Sequence, residues 1–135
     1  MANALYDKGR EKFLTGAVSW SSDNIKVVLV DNADYTVNLS THEFLSDVAS
    51  GGRVATSANL SSKTTTAGVA DAADVTFTAV TGDQSESLVI YKDTGSAATS
   101  PLIAYIDTAT GLPVTPNGAD ITVTWDNGSN KIFKL

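Results

Sequence analysis

From Leu88 onward the chain alternates between short runs with a two-residue period and clusters of turn-forming residues. The runs are Leu88-Val89-Ile90-Tyr91, Pro101-Leu102-Ile103-Ala104-Tyr105-Ile106 and Ile121-Thr122-Val123-Thr124-Trp125. They are separated by Asp93-Thr94-Gly95-Ser96, Thr110-Gly111-Leu112-Pro113 and Asn117-Gly118, and Asp126-Asn127-Gly128 and Ile132-Phe133 follow. Apolar, β-branched and aromatic side chains suit a pleated surface, whereas Asp, Asn, Gly and Pro interrupt it by bonding their own backbone or fixing an unusual φ. Such a ladder closes its backbone hydrogen bonds as an antiparallel sheet. Tyr91 stands one step out of phase with Leu88 and Ile90, so it is expected to point away from the core.

The same period begins earlier. Ile25, Val27 and Leu29 alternate with Lys26, Val28 and Val30, the pattern of a central strand covered on both sides. Asp31-Asn32-Ala33-Asp34 turns the chain, and Tyr35, Val37 and Leu39 alternate on the return, so the two runs are expected as a hairpin or as sheet neighbours. Ser40-Thr41-His42-Glu43 spells a capping box, in which the Ser40 hydroxyl accepts from the Glu43 amide and Glu43 reaches back. Phe44, Leu45 and Val48 would then line one face of a short helical insertion ended by Gly51-Gly52. Between Arg53 and Val80 small and hydroxylated residues dominate, and Val75 to Val80 alternates cleanly. Thr fills little core volume, so this part of the sheet is expected to be thin or paired against another subunit.

The first fourteen residues follow a different rule. Leu5, Gly9 and Phe13 recur at helical spacing with Tyr6 and Leu14 beside them, and Asp7, Lys8, Arg10, Glu11 and Lys12 occupy the other arc. Asn3 can cap this helix and Gly16 can stop it. Gly9 costs the helix up to about 1 kcal/mol relative to Ala, and its place on the apolar stripe predicts close approach of another backbone, in this subunit or a partner. A chain of 135 residues is one domain by size and buries roughly two-thirds of its unfolded surface. The expected fold is mainly β. It is an antiparallel β-sandwich or jelly-roll-like domain over residues 17–135, with one short helical insertion and a helical segment over residues 1–16 as a candidate docking arm.

Composition narrows the function classes. The net charge of −6 opposes a general nucleic-acid role, because phosphate binding draws its affinity from clustered Lys and Arg. No stretch approaches the ~20 apolar residues of a membrane span, and no signal-peptide core is present at the start, so synthesis and residence in the cytoplasm or packaging from it are expected. With no cysteine, neither disulfides nor thiolate metal sites contribute. Asp93-Thr94-Gly95-Ser96 matches the loop of aspartic proteases, but those need two facing copies sharing a proton, and Asp-Thr-Gly is also a common strand-connecting turn, so a turn is expected here. His42, the single histidine, is expected to be exposed and without a catalytic or metal role. Asp71 with Asp74, and Asp31 with Asp34, lack the spacing of a calcium loop and read as solvated turn carboxylates. Trp20, Trp125, Tyr91 and Tyr105 could form a sugar-binding platform or serve as core and interface anchors, depending on the face they share. No catalytic residue, metal or cofactor is expected.

Ala2-Asn3-Ala4-Leu5-Tyr6-Asp7-Lys8-Gly9-Arg10, Tyr35-Thr36-Val37-Asn38-Leu39, His42-Glu43-Phe44-Leu45-Ser46-Asp47, Tyr91-Lys92-Asp93-Thr94-Gly95, Gly111-Leu112-Pro113-Val114-Thr115-Pro116-Asn117-Gly118 and Trp125-Asp126-Asn127-Gly128 form a series of connected phrases along the sequence. Together they resemble a family of small tailed-bacteriophage virion proteins. The resemblance implies a non-enzymatic late structural protein of the virion, a head decoration or cement protein bound to the major capsid protein. A homo-oligomer is expected, with a trimer favoured. The alternatives are a tail-associated subunit (tube, collar or fibre-associated) and a carbohydrate-binding adhesion module. Within the decoration reading, Leu5, Tyr6, Phe13 and Leu14 are the expected apolar anchors, and Arg10 or Lys12 would pair with acidic neighbours. The competing expectation is that the helix only covers an open end of its own domain.

Overall fold

The computed structural model describes residues 4–125, 128–129 and 131–135. Asn3 and Asp126-Asn127 of the last turn lie outside the described residues, and the helix expected from Ala2 begins only at Asp7, with Tyr6 as its N-cap, because Ala4 and Leu5 are taken up as strand. In sequence order the elements are β1 (Ala4–Leu5), α1 (Asp7–Leu14), β2 (Ile25–Val30), β3 (Arg53–Thr56), β4 (Val69–Ala70), β5 (Val75–Phe77), β6 (Ser87–Lys92), β7 (Leu102–Ile106), β8 (Ile121–Val123) and β9 (Phe133–Lys134). Five strands form one sheet in the order β1-β7-β6-β2-β3, with every adjacent pair antiparallel. β4 pairs with β9 and β5 with β8 in two separate ribbons. The protein is mainly β, as its alternation predicts.

Both faces of the large sheet are buried, and alternation along β2 and β6 sorts their side chains between them. Val27, Leu29, Leu88 and Ile90 share one apolar cluster with Trp20, Phe77, Val123, Trp125 and Phe133. The ribbons therefore cover this face, in place of one continuous second sheet. Val28, Val30, Val89 and Tyr91 point the other way and pack with Tyr6, Tyr35, Leu45 and Val48. Tyr91 does turn away from Leu88 and Ile90, but it meets a second core and stays buried. A register shift between Ile90 and Tyr91 pairs them with Ala104 and Leu102, leaving Ile103 as the extra residue of a bulge. That bulge lets Leu102 and Tyr105, three positions apart, serve the same face.

The expected partnership between β2 and residues 35–39 is not formed. β2 lies between β6 and β3, with Val28 opposite Thr56 and Leu29 opposite Ala55. Tyr35, Val37 and Leu39 instead lie as an irregular segment against the second core. Alternation encodes an apolar face, and a segment laid across a sheet satisfies it as well as one paired within it. The helical insertion is two 3-10 turns, Leu45–Asp47 and Ser50–Gly52. Its acceptor differs from the one expected. The Asp47 Oδ2 takes the Glu43 and Phe44 amides at 2.7 and 3.1 Å, while Asn38 Oδ1 takes those of Ser40 and Thr41. The Ser40–Glu43 box is thus replaced by two loops, one closed by a carboxylate oxygen and one by a carboxamide oxygen.

Candidate interaction surface

The amino-terminal segment is built into the domain. β1 pairs with β7 through Ala4–Tyr105 and Leu5–Ala104, and the Tyr6 amide continues the ladder to the Ile103 carbonyl at 3.0 Å. α1 starts immediately afterwards, and Tyr6 at its N-cap makes no capping hydrogen bond through its ring; Asp7 sits in the first turn, where a negative charge suits the helix dipole. Gly9 faces β7 so closely that a Cβ there would lie 2.6 Å from the Leu102 carbonyl oxygen and 3.0 Å from that of Ile103. The close approach predicted for Gly9 is therefore to the protein's own sheet. Lys12 Nζ pairs with Glu43 Oε2 at 3.0 Å, and the Phe13 ring lies 6.1 Å from that of Phe133.

These contacts divide the six expected anchors. Leu5 and Tyr6 are core residues of the domain itself, one in each apolar cluster, so they offer a partner no surface. Phe13 is half-buried against the first cluster, and Lys12 is held to the 43–44 loop. Arg10 and Leu14 remain on the outside, four residues apart on one helix face. Leu14 is 88% exposed, and Arg10 keeps a solvent-facing ion pair with Asp7 at 2.9 Å. Leu135, 64% exposed, lies two residues beyond Phe133, whose ring contacts that of Phe13. The segment covers a sheet edge and presents a narrow outer strip.

The remaining candidates resolve into structural roles. Asp93 Oδ1 accepts the Gly95 amide at 3.0 Å, Gly95 has φ +91°, and Asp93 Oδ2 pairs with Lys26 Nζ at 2.8 Å. The Lys26 ammonium, followed by the Gly95 amide, holds the Asp93 carboxyl below the usual carboxylate range. This is the turn expected at Asp93-Thr94-Gly95-Ser96. Trp20, Trp125, Tyr91 and Tyr105 are all buried, and the two indole N–H groups donate to the Asp71 and Ala73 carbonyls. Those four rings do not form an exposed sugar platform. A shallow cleft of about 130 Å³ between residues 57–61 and 73–76 is well below the ~300 Å³ at which small-molecule pockets begin. Asp31 and Asp34 converge with Asp83, their carboxylate oxygens lying within 4.8 Å of one another. Asp31, expected to be solvated, is buried, because its Oδ1 turns in to cap its own turn through the Ala33 amide.

One arrangement had no signal in the sequence. Tyr6 and Tyr35 hydroxyls lie 2.7 Å apart, and the Tyr35 hydroxyl lies 2.8 Å from His42 Nδ1. The Asn38 amide also reaches Nδ1, at 3.3 Å, and a backbone N–H can only donate. Nδ1 is therefore the acceptor, which sets the direction of the relay: Tyr6 donates to Tyr35, and Tyr35 donates to His42. Burial pushes the Tyr6 phenol far above its usual range, and burial pushes Tyr35 up to about 12. His42, expected to be exposed and idle, is half-buried and terminates this network. Tyr35 is 29 positions from Tyr6 and 7 from His42, so only folding brings the three together.

Compared with known proteins, the sequence matches no family model and no curated protein.

Proposed function

We propose that this protein is a structural component of a tailed-bacteriophage virion, a homo-oligomer with trimers favoured, that decorates the head by binding the major capsid protein. The connected phrases from Ala2 to Gly128 support the lineage. One observation in the fold supports the role. With both sheet faces closed, Leu14 and Leu135 are the large apolar side chains left exposed among the described residues, and Leu14 shares a helix face with Arg10. A partner surface would cover the two leucines and offer a carboxylate to Arg10. A decoration protein acts by burying area across the seams between capsid subunits, so that rupture under internal pressure must also break those contacts. About 800 Å² per partner suffices for a specific interface, and repetition over a lattice multiplies the effect.

High-resolution imaging of purified particles tests the reading. Density for the protein on the head lattice, lost when a Leu14→Glu variant replaces the native protein while the isolated variant stays folded, is the expected result. Absence from particles refutes a virion role. Density confined to the tail refutes decoration in favour of a tail subunit.

A further inference from the structure

We infer that Asn117-Gly118 is a self-modification site, a succinimide-forming asparagine whose reaction is gated by the clasp between residues 79–80 and 117–120. Both residues are exposed. Glycine after asparagine leaves the backbone nitrogen unobstructed, since no Cβ shields it from the asparagine carboxamide. In the reaction the Gly118 nitrogen loses its proton and attacks Asn117 Cγ. A new bond forms between that nitrogen and Cγ, the Cγ–Nδ2 bond of Asn117 breaks, and ammonia leaves with the displaced proton. Water then opens the five-membered ring at either carbonyl, giving aspartate or isoaspartate. Water is the only co-reactant, and no electron is gained or lost.

The fold restrains both reacting groups. The Gly118 N–H donates to the Val80 carbonyl at 2.7 Å, which holds the proton that must be lost. Asn117 Oδ1 accepts the Ala119 amide at 3.1 Å, which fixes the carboxamide in a turn. The Val80 amide returns a bond to the Ala119 carbonyl at 3.1 Å, and Asp120 Oδ1 takes the Ala79 amide at 2.8 Å. Four hydrogen bonds thus close over one reactive dipeptide. Ala79 has φ +49°, a left-handed conformation that L-residues rarely adopt, so the partner loop is held under strain by the same Asp120 contact. Opening this clasp frees the Gly118 nitrogen, and the conversion rate in the native protein reports how often it opens. Isoaspartate at 117 inserts a methylene into the backbone inside the clasp. Reclosure on Val80 and Ala119 is then lost, leaving the β5–β8 ribbon without its end closure.

The test is to age the full-length protein at mildly alkaline pH, native and in guanidinium, and to follow Asn117 by peptide mapping and isoaspartate detection. Asn127-Gly128 is read on a separate peptide. Conversion at Asn117 should be at least tenfold slower in the native protein than in guanidinium. Asp120→Ala should raise the native rate severalfold without changing the rate in guanidinium, while Asp120→Asn, which keeps an acceptor oxygen, should stay near the wild-type rate. Equal rates in the native and unfolded protein, no conversion in guanidinium, or a native rate indifferent to Asp120→Ala would each overturn the gate.

Discussion

Tyr35→Phe is expected to destabilise the protein more than Tyr6→Phe, although Tyr6 is the more deeply buried of the two. The direction of the Tyr6–Tyr35–His42 relay decides this. Removing the Tyr35 hydroxyl leaves the Tyr6 O–H, in a fully buried position, with no acceptor. An orphaned buried donor costs about 1–3 kcal/mol. Removing the Tyr6 hydroxyl leaves Tyr35 still donating to His42 and forfeits one neutral hydrogen bond, worth about 0.5–1.5 kcal/mol. The double variant Tyr6→Phe/Tyr35→Phe removes donor and acceptor together while both rings stay in place, so it should recover stability relative to Tyr35→Phe alone. His42 keeps the Asn38 amide in every case. Chemical denaturation gives the energies, and thermal scans should move by roughly 3–4 °C per kcal/mol for a protein of this size. Equal costs for the two single variants, or a double variant equal to their sum, would refute the assigned direction.

Gly9→Ala should be destabilising by about 1–3 kcal/mol despite alanine's better helix propensity, because its Cβ would meet the Leu102 carbonyl at 2.6 Å and force α1 off β7; denaturant titration measures it. Alkaline titration followed by tyrosine absorbance should show Tyr35 ionising only near pH 12 and Tyr6 not ionising before unfolding. The folded protein holds these protons more tightly than the unfolded one, so their contribution is intact below about pH 10 and is lost as the pH rises through and above that value. Stability that is flat between about pH 9 and 12 would contradict the burial of both phenols.

The strands were legible where apolar alternation coincides with turn chemistry. Ile25–Val30 is read to the residue, and the runs around β6, β7 and β8 fall where Asp93-Thr94-Gly95 and Asn117-Gly118 divide them. Residues 35–39 mislead because their pattern specifies burial of one side without specifying ladder bonds. Tyr91 misleads in the opposite way, since an out-of-phase residue means solvent only if the second face of the sheet is bare. Nothing local states that Tyr35, Leu45 and Val48 will cover that face.

The amino-terminal segment shows the same limit for the interaction surface. An amphipathic stripe states that one face will be covered, and it is silent on whether the cover is the protein's own sheet or another molecule. Gly9 on that stripe implied a backbone within van der Waals reach but left open whose backbone it is. That backbone is β7. Once β7 lies under Gly9, geometry fixes the rest. Tyr6 must turn inward to continue the β1 ladder and Phe13, one turn beyond Gly9, meets Phe133, while Leu14 is carried to the outer side near Arg10. A leucine left outside a domain that buries both faces of its sheet is therefore the residue through which a partner should be sought.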